Sequence, residues 1–190
     1  MFFYKKKYFL IIESIKDINL KEIKRYNKFI LIYRNLAKKD DLEELKRFRN
    51  KCKIKKILFY VANKFNLAVY LKADGIYLSS YNKSFKALNF KKLNLSLIGS
   101  AHNWSEISIK LKQKCDFILL SKLFLVNYAS KSPYLGLIKF NNYSNTIPNK
   151  LVALGGVKTE NLNKLKKVNC EGFALLSEIK KKPAIIRRLF

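Results

Sequence analysis

Short apolar runs recur along the chain, and the segments between them are charged and repeat at helical spacing. Eight runs read as strands: YFLIIE (8–13), FILIYR (29–34), ILFYV (57–61), GIYLSS (75–80), LSLIGS (95–100), DFILLS (116–121), KLVALGG (150–156) and GFALLS (172–177). Most are apolar throughout instead of alternating, the pattern of strands buried on both faces in a parallel sheet covered by helices. Three intervening segments carry helix signals. Residues 40–56 open on Asp40 and Asp41, place Leu42, Leu45, Phe48 and Cys52 at core-facing spacing, and end basic, as the helix dipole favours. Residues 103–114 start at an Asn103 cap with Glu106 three positions on, a capping-box pattern, and turn Ile107, Ile109 and Leu111 inward or partly inward. Residues 158–167 take Thr159 as their cap and carry Leu162 and Leu165 on one face. Helices after the third and fourth strands are short or poorly defined. Alternating strands and helices imply right-handed crossovers and parallel pairing, and eight such units predict a compact α/β fold, a (β/α)8 barrel. The rival, a doubly wound open sheet, would carry a glycine-rich turn after its first strand, where YFLIIESIKD has no glycine.

Composition narrows this picture. A length of 190 residues, 49% hydrophobic and 14% aromatic, suits one folded domain over residues 1–190, and three prolines mark no linker. Cys52, Cys115 and Cys170 are odd in number, widely spaced and without a C-x-x-C pair, which predicts buried, reduced thiols and a cytoplasmic location. The start, MFFYKKKYFLIIES, has positive charge before an apolar run, but that run meets Glu13 at once and reads as a strand. No apolar stretch approaches the roughly 20 residues that span a bilayer, so no membrane association is expected.

Forty Lys and Arg stand against 13 Asp and Glu, a formal charge of +27 that draws phosphorylated ligands and nucleic acid alike. The lysines are spread among Asn, Ile, Leu and Phe, the mixture an AT-rich genome produces, and they serve mainly to solvate outer helix faces. Without an RNP-type aromatic motif, KH loop or basic recognition helix, nucleic acid is a minority expectation.

The chemistry concentrates at the end of the chain. Gly155 and Gly156 follow the seventh strand and Ser177 follows the eighth, where barrels often hold phosphate on backbone N–H groups. Glycines without a Cβ let that backbone approach an anion; alternatively, they only make a tight turn.

Four segments together resemble the thiamine phosphate synthase/TenI family of small (β/α)8 barrels. ADGIYLSS (73–80) is similar to the family's ADG-V-H-LG, SAH (100–102) to its S-x-H strand end, ALGGVKTENL (153–162) to its A-I-GG-I-T-x-x-N, and EGFALLSEI (171–179) to its G-V-A-V-V-S-x-I ending. The resemblance runs from about Tyr8 to Ile179. It implies thiamine biosynthesis: joining a pyrimidine diphosphate to a thiazole phosphate carboxylate with release of pyrophosphate and carbon dioxide, or aromatising the thiazole phosphate product, as TenI-type members do. The chemistry would demand charge neutralisation on the departing anion more than a strong base.

By the same resemblance Arg34 matches the arginine of Q-x-R-x-K, with Ile32 at the glutamine and Leu36 at the lysine position, and Lys38 or Lys39 nearby. Ser100 matches the serine that contacts the pyrimidine diphosphate, Lys131 the lysine of T-x-T-K, and Gly155, Gly156, Leu176 and Ser177 the positions that hold the thiazole phosphate. His102, the only histidine, is by the same resemblance to TenI-type members the candidate for proton transfer, a role that an imidazole suits. The family's Mg²⁺-binding aspartates fall at Asn63, in ANK, and at Asn82. Neutral amides lack the charge that holds Mg²⁺, so binding of this cofactor is in question; Lys64 or Lys83 would be the cations to replace it. Asp74 and Asp116 open strands at the other end of the barrel and are expected to be structural, and Trp104 to be packing. The resemblance thus implies a synthase- or TenI-like enzyme; a barrel that binds a phosphorylated ligand without catalysis and a basic nucleic-acid binder are the alternatives.

Overall fold

The computed structural model describes residues 7–23, 28–35, 40–126, 133–148 and 150–176. Eight strands follow the predicted order: β1 (Lys7–Ile12), β2 (Phe29–Tyr33), β3 (Leu58–Ala62), β4 (Gly75–Leu78), β5 (Ser96–Ala101), β6 (Phe117–Leu120), β7 (Leu151–Leu154) and β8 (Gly172–Leu175). Each pairs in parallel with the next, and β8 returns to β1, closing the barrel. Leu10 of β1 faces Leu31 on one side and Leu175 on the other.

The helices α1 (Leu42–Ile54), α2 (Phe65–Tyr70), α3 (Ala87–Lys91), α4 (Trp104–Lys112) and α5 (Gly136–Thr146) lie in the intervening connections, with two short 3₁₀ turns, Ile15–Asp17 and Leu20–Glu22, after β1. Asp41 caps α1, its carboxylate accepting the Glu43 and Glu44 amides at 3.0 Å. Asp40 instead accepts the Ser14 and Tyr33 hydroxyls at 2.7 and 2.8 Å, tying the ends of β1 and β2 together. Leu45, Phe48 and Cys52 are buried as expected, but Leu42 is 53% exposed, because it lies in the first turn, before the helix has met the barrel surface. Asn103 caps α4, while Glu106 reaches past it to the His102 amide at 2.7 Å. The segment after β7 winds as a 3₁₀ helix from Thr159 to Lys167, with Lys158 rather than Thr159 at the cap position.

Continuous apolarity of the strands reflects two separate cores. Outward residues such as Tyr8, Leu10, Ile12 and Phe59 pack on the helices, whereas Phe9, Ile11, Ile30, Ile32, Tyr60, Tyr77, Ile98, Leu119 and Val152 fill the barrel interior. At the amino ends of the strands, Phe9 meets Phe117 edge-on with ring centres 5.7 Å apart, and the Lys7 ammonium lies over Phe117. The other end is left for chemistry.

Candidate functional site at the carboxyl ends of the strands

A cavity of about 810 Å³ opens at the carboxyl ends of the strands. Its lining comes from the residues just past each strand: Arg34 after β2; Ser79, Ser80 and Tyr81 after β4; His102 after β5; Ser121 and Lys122 after β6; and Gly155 to Lys158 after β7. Val126 in the connection after β6 and Leu176 after β8 add to this rim, and Tyr77, Ser100, Leu154, Ala174 and Leu175 line the cavity from the strands.

The turn after β7 gives the cavity its main-chain wall. Gly155 and Gly156 have φ of +87° and +70°, a conformation that suits glycine. Both are also held against the loop after β6. A Cβ on Gly156 would lie 2.6 Å from the carbonyl oxygens of Phe124 and Leu125, and one on Gly155 would meet Lys122 at 3.0–3.3 Å. Leu123 N–H donates to Leu154 at 2.9 Å and Phe124 N–H to Gly155 at 3.0 Å, so the two loops form one unit. Asn161 then locks the turn, its Nδ2 donating to the Gly156 carbonyl at 2.7 Å and its Oδ1 accepting the Lys158 amide at 2.8 Å. Among the described residues no acceptor takes the amide hydrogens of Gly155, Gly156 or Val157. Three successive amides without an acceptor on a cavity wall are the kind of donor that backbone anion sites use.

Charge follows the same logic. Among the described residues the cavity presents Arg34, Lys122 and Lys158 and one carboxylate, Glu160. Arg34 lies beside the Tyr77 phenol, while its Nε is buried without a partner among the described residues. Burial pushes the Tyr77 phenol up from its ordinary pKa, although its hydrogen bond with Ser100 and the charge of Arg34 pull the other way, so it stays a neutral hydroxyl on the cavity floor. His102 Nδ1 lies 3.0 Å from Glu106 Oε2, and the ring is about half exposed at the rim. That pairing holds a proton on Nδ1 and leaves Nε2 as the basic nitrogen.

Of the residues singled out in the sequence, Arg34, Ser100, His102, Gly155, Gly156 and Leu176 line this one cavity. Lys131, Ser177, Leu36, Lys38 and Lys39 lie outside the described residues. Lys64 and Lys83 are exposed and do not line the cavity, whereas Tyr77, Ser121, Lys122 and Lys158, unmarked in the sequence, do.

Asn63 and Asn82 meet beside Ser79, bonded to each other. Asn63 Oδ1 accepts Asn82 Nδ2 at 3.0 Å and the Ser79 amide at 3.2 Å, and Asn63 Nδ2 donates to the Ser79 hydroxyl at 2.8 Å. Asn82 Oδ1 accepts the Ser84 amide at 3.1 Å. Beneath them the fully buried Lys110 ammonium donates to the carbonyls of Ser79 (2.8 Å) and Asn82 (2.7 Å) and to Gln113 Oε1 (3.1 Å). Both amide oxygens are already engaged, no carboxylate joins them, and a cation sits below. This donor set does not fit Mg²⁺. No group of three His, Cys, Asp or Glu among the described residues could hold a metal ion.

A sequence model described as thiamine monophosphate synthase matches residues 19–179. The chain belongs to the thiamine monophosphate synthase family. Thiamine-phosphate synthase of Prochlorococcus marinus strain AS9601 is 29% identical over 141 residues, 74% of this chain and 40% of that protein. The enzyme of Methanococcus vannielii is 27% identical over 122 residues, 64% of this chain and 59% of its own length. The chain therefore spans about half the length of these relatives. Among solved structures, thiamine phosphate pyrophosphorylase from Pyrococcus furiosus superposes with a TM-score of 0.69 at 17% identity, covering 98% of both chains. At that identity the superposition speaks for the barrel; membership of the thiamine monophosphate synthase family rests on the sequence match. No helix among the described residues is long and apolar enough to cross a membrane.

Proposed function

We propose that this barrel binds a thiazole phosphate, with its phosphoryl group on the amides of Gly155, Gly156 and Val157, and couples it to a pyrimidine diphosphate held toward Arg34 and Ser100. The observation that carries the reading is the cradle of three open amides in a cavity whose charged side chains are mostly cationic. About 810 Å³ is room for both partners. In the coupling, the bond from the pyrimidine methylene carbon to the diphosphate oxygen breaks with its electron pair on the departing pyrophosphate. The thiazole nitrogen then supplies the pair for the new C–N bond. Arg34 stabilises charge on the leaving group; Ser100 and the Tyr77 hydroxyl orient the ring that carries it. Because the Asn63 and Asn82 pair does not fit Mg²⁺, no step is assigned to a metal.

The His102–Glu106 pair favours a second reading, proton transfer on the thiazole phosphate itself, with Nε2 as the base. Both readings share the phosphate cradle. Calorimetric titration with thiamine phosphate and with thiazole phosphate tests that common part: the wild-type chain should bind, and Gly156→Asp should abolish binding, because its side chain has no room against the Phe124 and Leu125 carbonyls and must displace the amides of the turn. Absence of binding by the wild type, or unchanged binding by the variant, would overturn it. A coupling assay on the two substrates and a tautomerisation assay on the thiazole alone then separate the two reactions.

A further inference from the structure

We infer that Lys122 neutralises the anionic ligand in this barrel in place of a divalent cation, so that phosphate or diphosphate binds without metal. The inference rests on the phosphate-binding reading of the same cavity and adds the residue and the mode of charge compensation.

Asn63 and Asn82 stand behind Ser79 of the cavity lining and are not themselves part of it. Each amide oxygen of the pair already accepts a hydrogen bond, Asn63 Nδ2 donates to the Ser79 and Tyr81 hydroxyls, and Asn82 Nδ2 donates to Asn63. A divalent ion would have to break this network for two neutral ligands while facing the Lys110 ammonium, which lies 2.7 Å from the Asn82 carbonyl. A diphosphate or phosphate monoester entering the cavity must nonetheless be compensated, because a buried anion without a counter-charge is strongly disfavoured.

Lys122 is built to supply that charge. It lines the cavity two positions beyond the end of β6. Its carbonyl accepts the Leu135 amide at 2.8 Å, and the next two residues pair with Leu154 and Gly155, so its backbone is pinned on both sides. Its stem packs on Gly155: the space a side chain at that position would take is within 3.0–3.3 Å of Lys122 Cα, Cβ and Cγ. Gly155 therefore serves the lysine as well as the main-chain cradle. No carboxylate among the described residues pairs with the Lys122 ammonium, which leaves its charge available. Arg34, whose buried Nε has no partner among the described residues, provides a second cation of the cavity.

The test uses the full chain with inorganic pyrophosphate and thiamine phosphate as probes, titrated calorimetrically in excess magnesium chloride or in EDTA. Wild-type affinity in EDTA should stay within about twofold of that in magnesium, Lys122→Met should weaken both probes by about tenfold or more, and Lys122→Arg should retain most of the affinity. Lys122→Gln, read in the same way, replaces the Met variant if that variant melts well below wild type. A tenfold or larger gain from magnesium in the wild type, or binding by Lys122→Met and Lys122→Gln equal to wild type, would overturn the inference while leaving the cradle in place. Failure of the wild type to bind either probe in either buffer would instead overturn the functional reading beneath it.

Discussion

At Gly156 two demands coincide, a left-handed backbone and a contact with the carbonyls of Phe124 and Leu125 that leaves no room for a Cβ. Gly136 shares the first demand, at φ +71°, but a side chain there would meet open space. Gly136→Ala should therefore cost only about 1 kcal/mol, the ordinary penalty of the left-handed region, while Gly156→Ala should cost at least twice that and weaken thiamine phosphate. Urea denaturation of the two variants checks the ranking. Burial pushes the thiols of Cys52 and Cys115 up to about 12, so iodoacetamide at neutral pH should leave both unmodified in the native chain and modify them after unfolding, as mass spectrometry would read. His102→Gln tests the proton-transfer reading: a fall of about 10²-fold or more in tautomerisation with intact thiamine phosphate binding would support it, and unchanged turnover would exclude it. The glycines, Arg34, Ser100 and His102 were legible because each stands at a strand end within a recognisable segment. Lys122, Lys158 and Tyr77 were not. A lysine carries no positional signal in a chain with 40 Lys and Arg, and Tyr77 reads as one more apolar strand residue until the barrel closes around it.

The same device fastens two strands at their amino ends. Asp74, just before β4, accepts the Phe59 amide of β3 at 2.7 Å and Arg49 at 3.0 Å; Asp116, just before β6, accepts the Leu97 amide of β5 and Lys91, each at 2.9 Å. Burial alone would raise the Asp116 carboxyl, but hydrogen bonds from Lys91, Leu97 and Ser96 outweigh it and hold the pKa below the ordinary value. A carboxyl depressed in the folded state contributes stability above the unfolded pKa of about 4 and loses it as pH falls through the folded value. Asp116→Asn should thus be less stable than wild type at neutral pH by roughly 1 kcal/mol, a modest figure because the pair is partly exposed and screened. The difference should shrink in melts taken below about pH 4. These aspartates were readable as structural from their place before a strand. Caps were readable too, at Asp41 and Asn103, whereas α5 was missed: GLIKFNNYSNT opens on glycine, is rich in asparagine and lacks a side-chain cap, so its helicity comes from packing Phe140 against the barrel and not from local propensity.

Across the whole molecule, closure of eight parallel strands brings residues from six connections to one rim, a convergence that periodicity implies only once the barrel is recognised. The formal charge of +27 over the chain should draw phosphorylated ligands toward the protein. The same charge should give only weak, sequence-indifferent affinity for duplex DNA; fluorescence anisotropy should show it gone by about 0.2 M salt, and affinity persisting there would revive nucleic acid as a partner. The central claim concerns where an anion rests. A crystal structure of the chain with thiamine phosphate addresses it directly: the account places phosphoryl oxygens within hydrogen-bonding reach, about 3 Å, of the amides of Gly155, Gly156 and Val157. A phosphoryl group bound at any other place, with those amides left open, would contradict it.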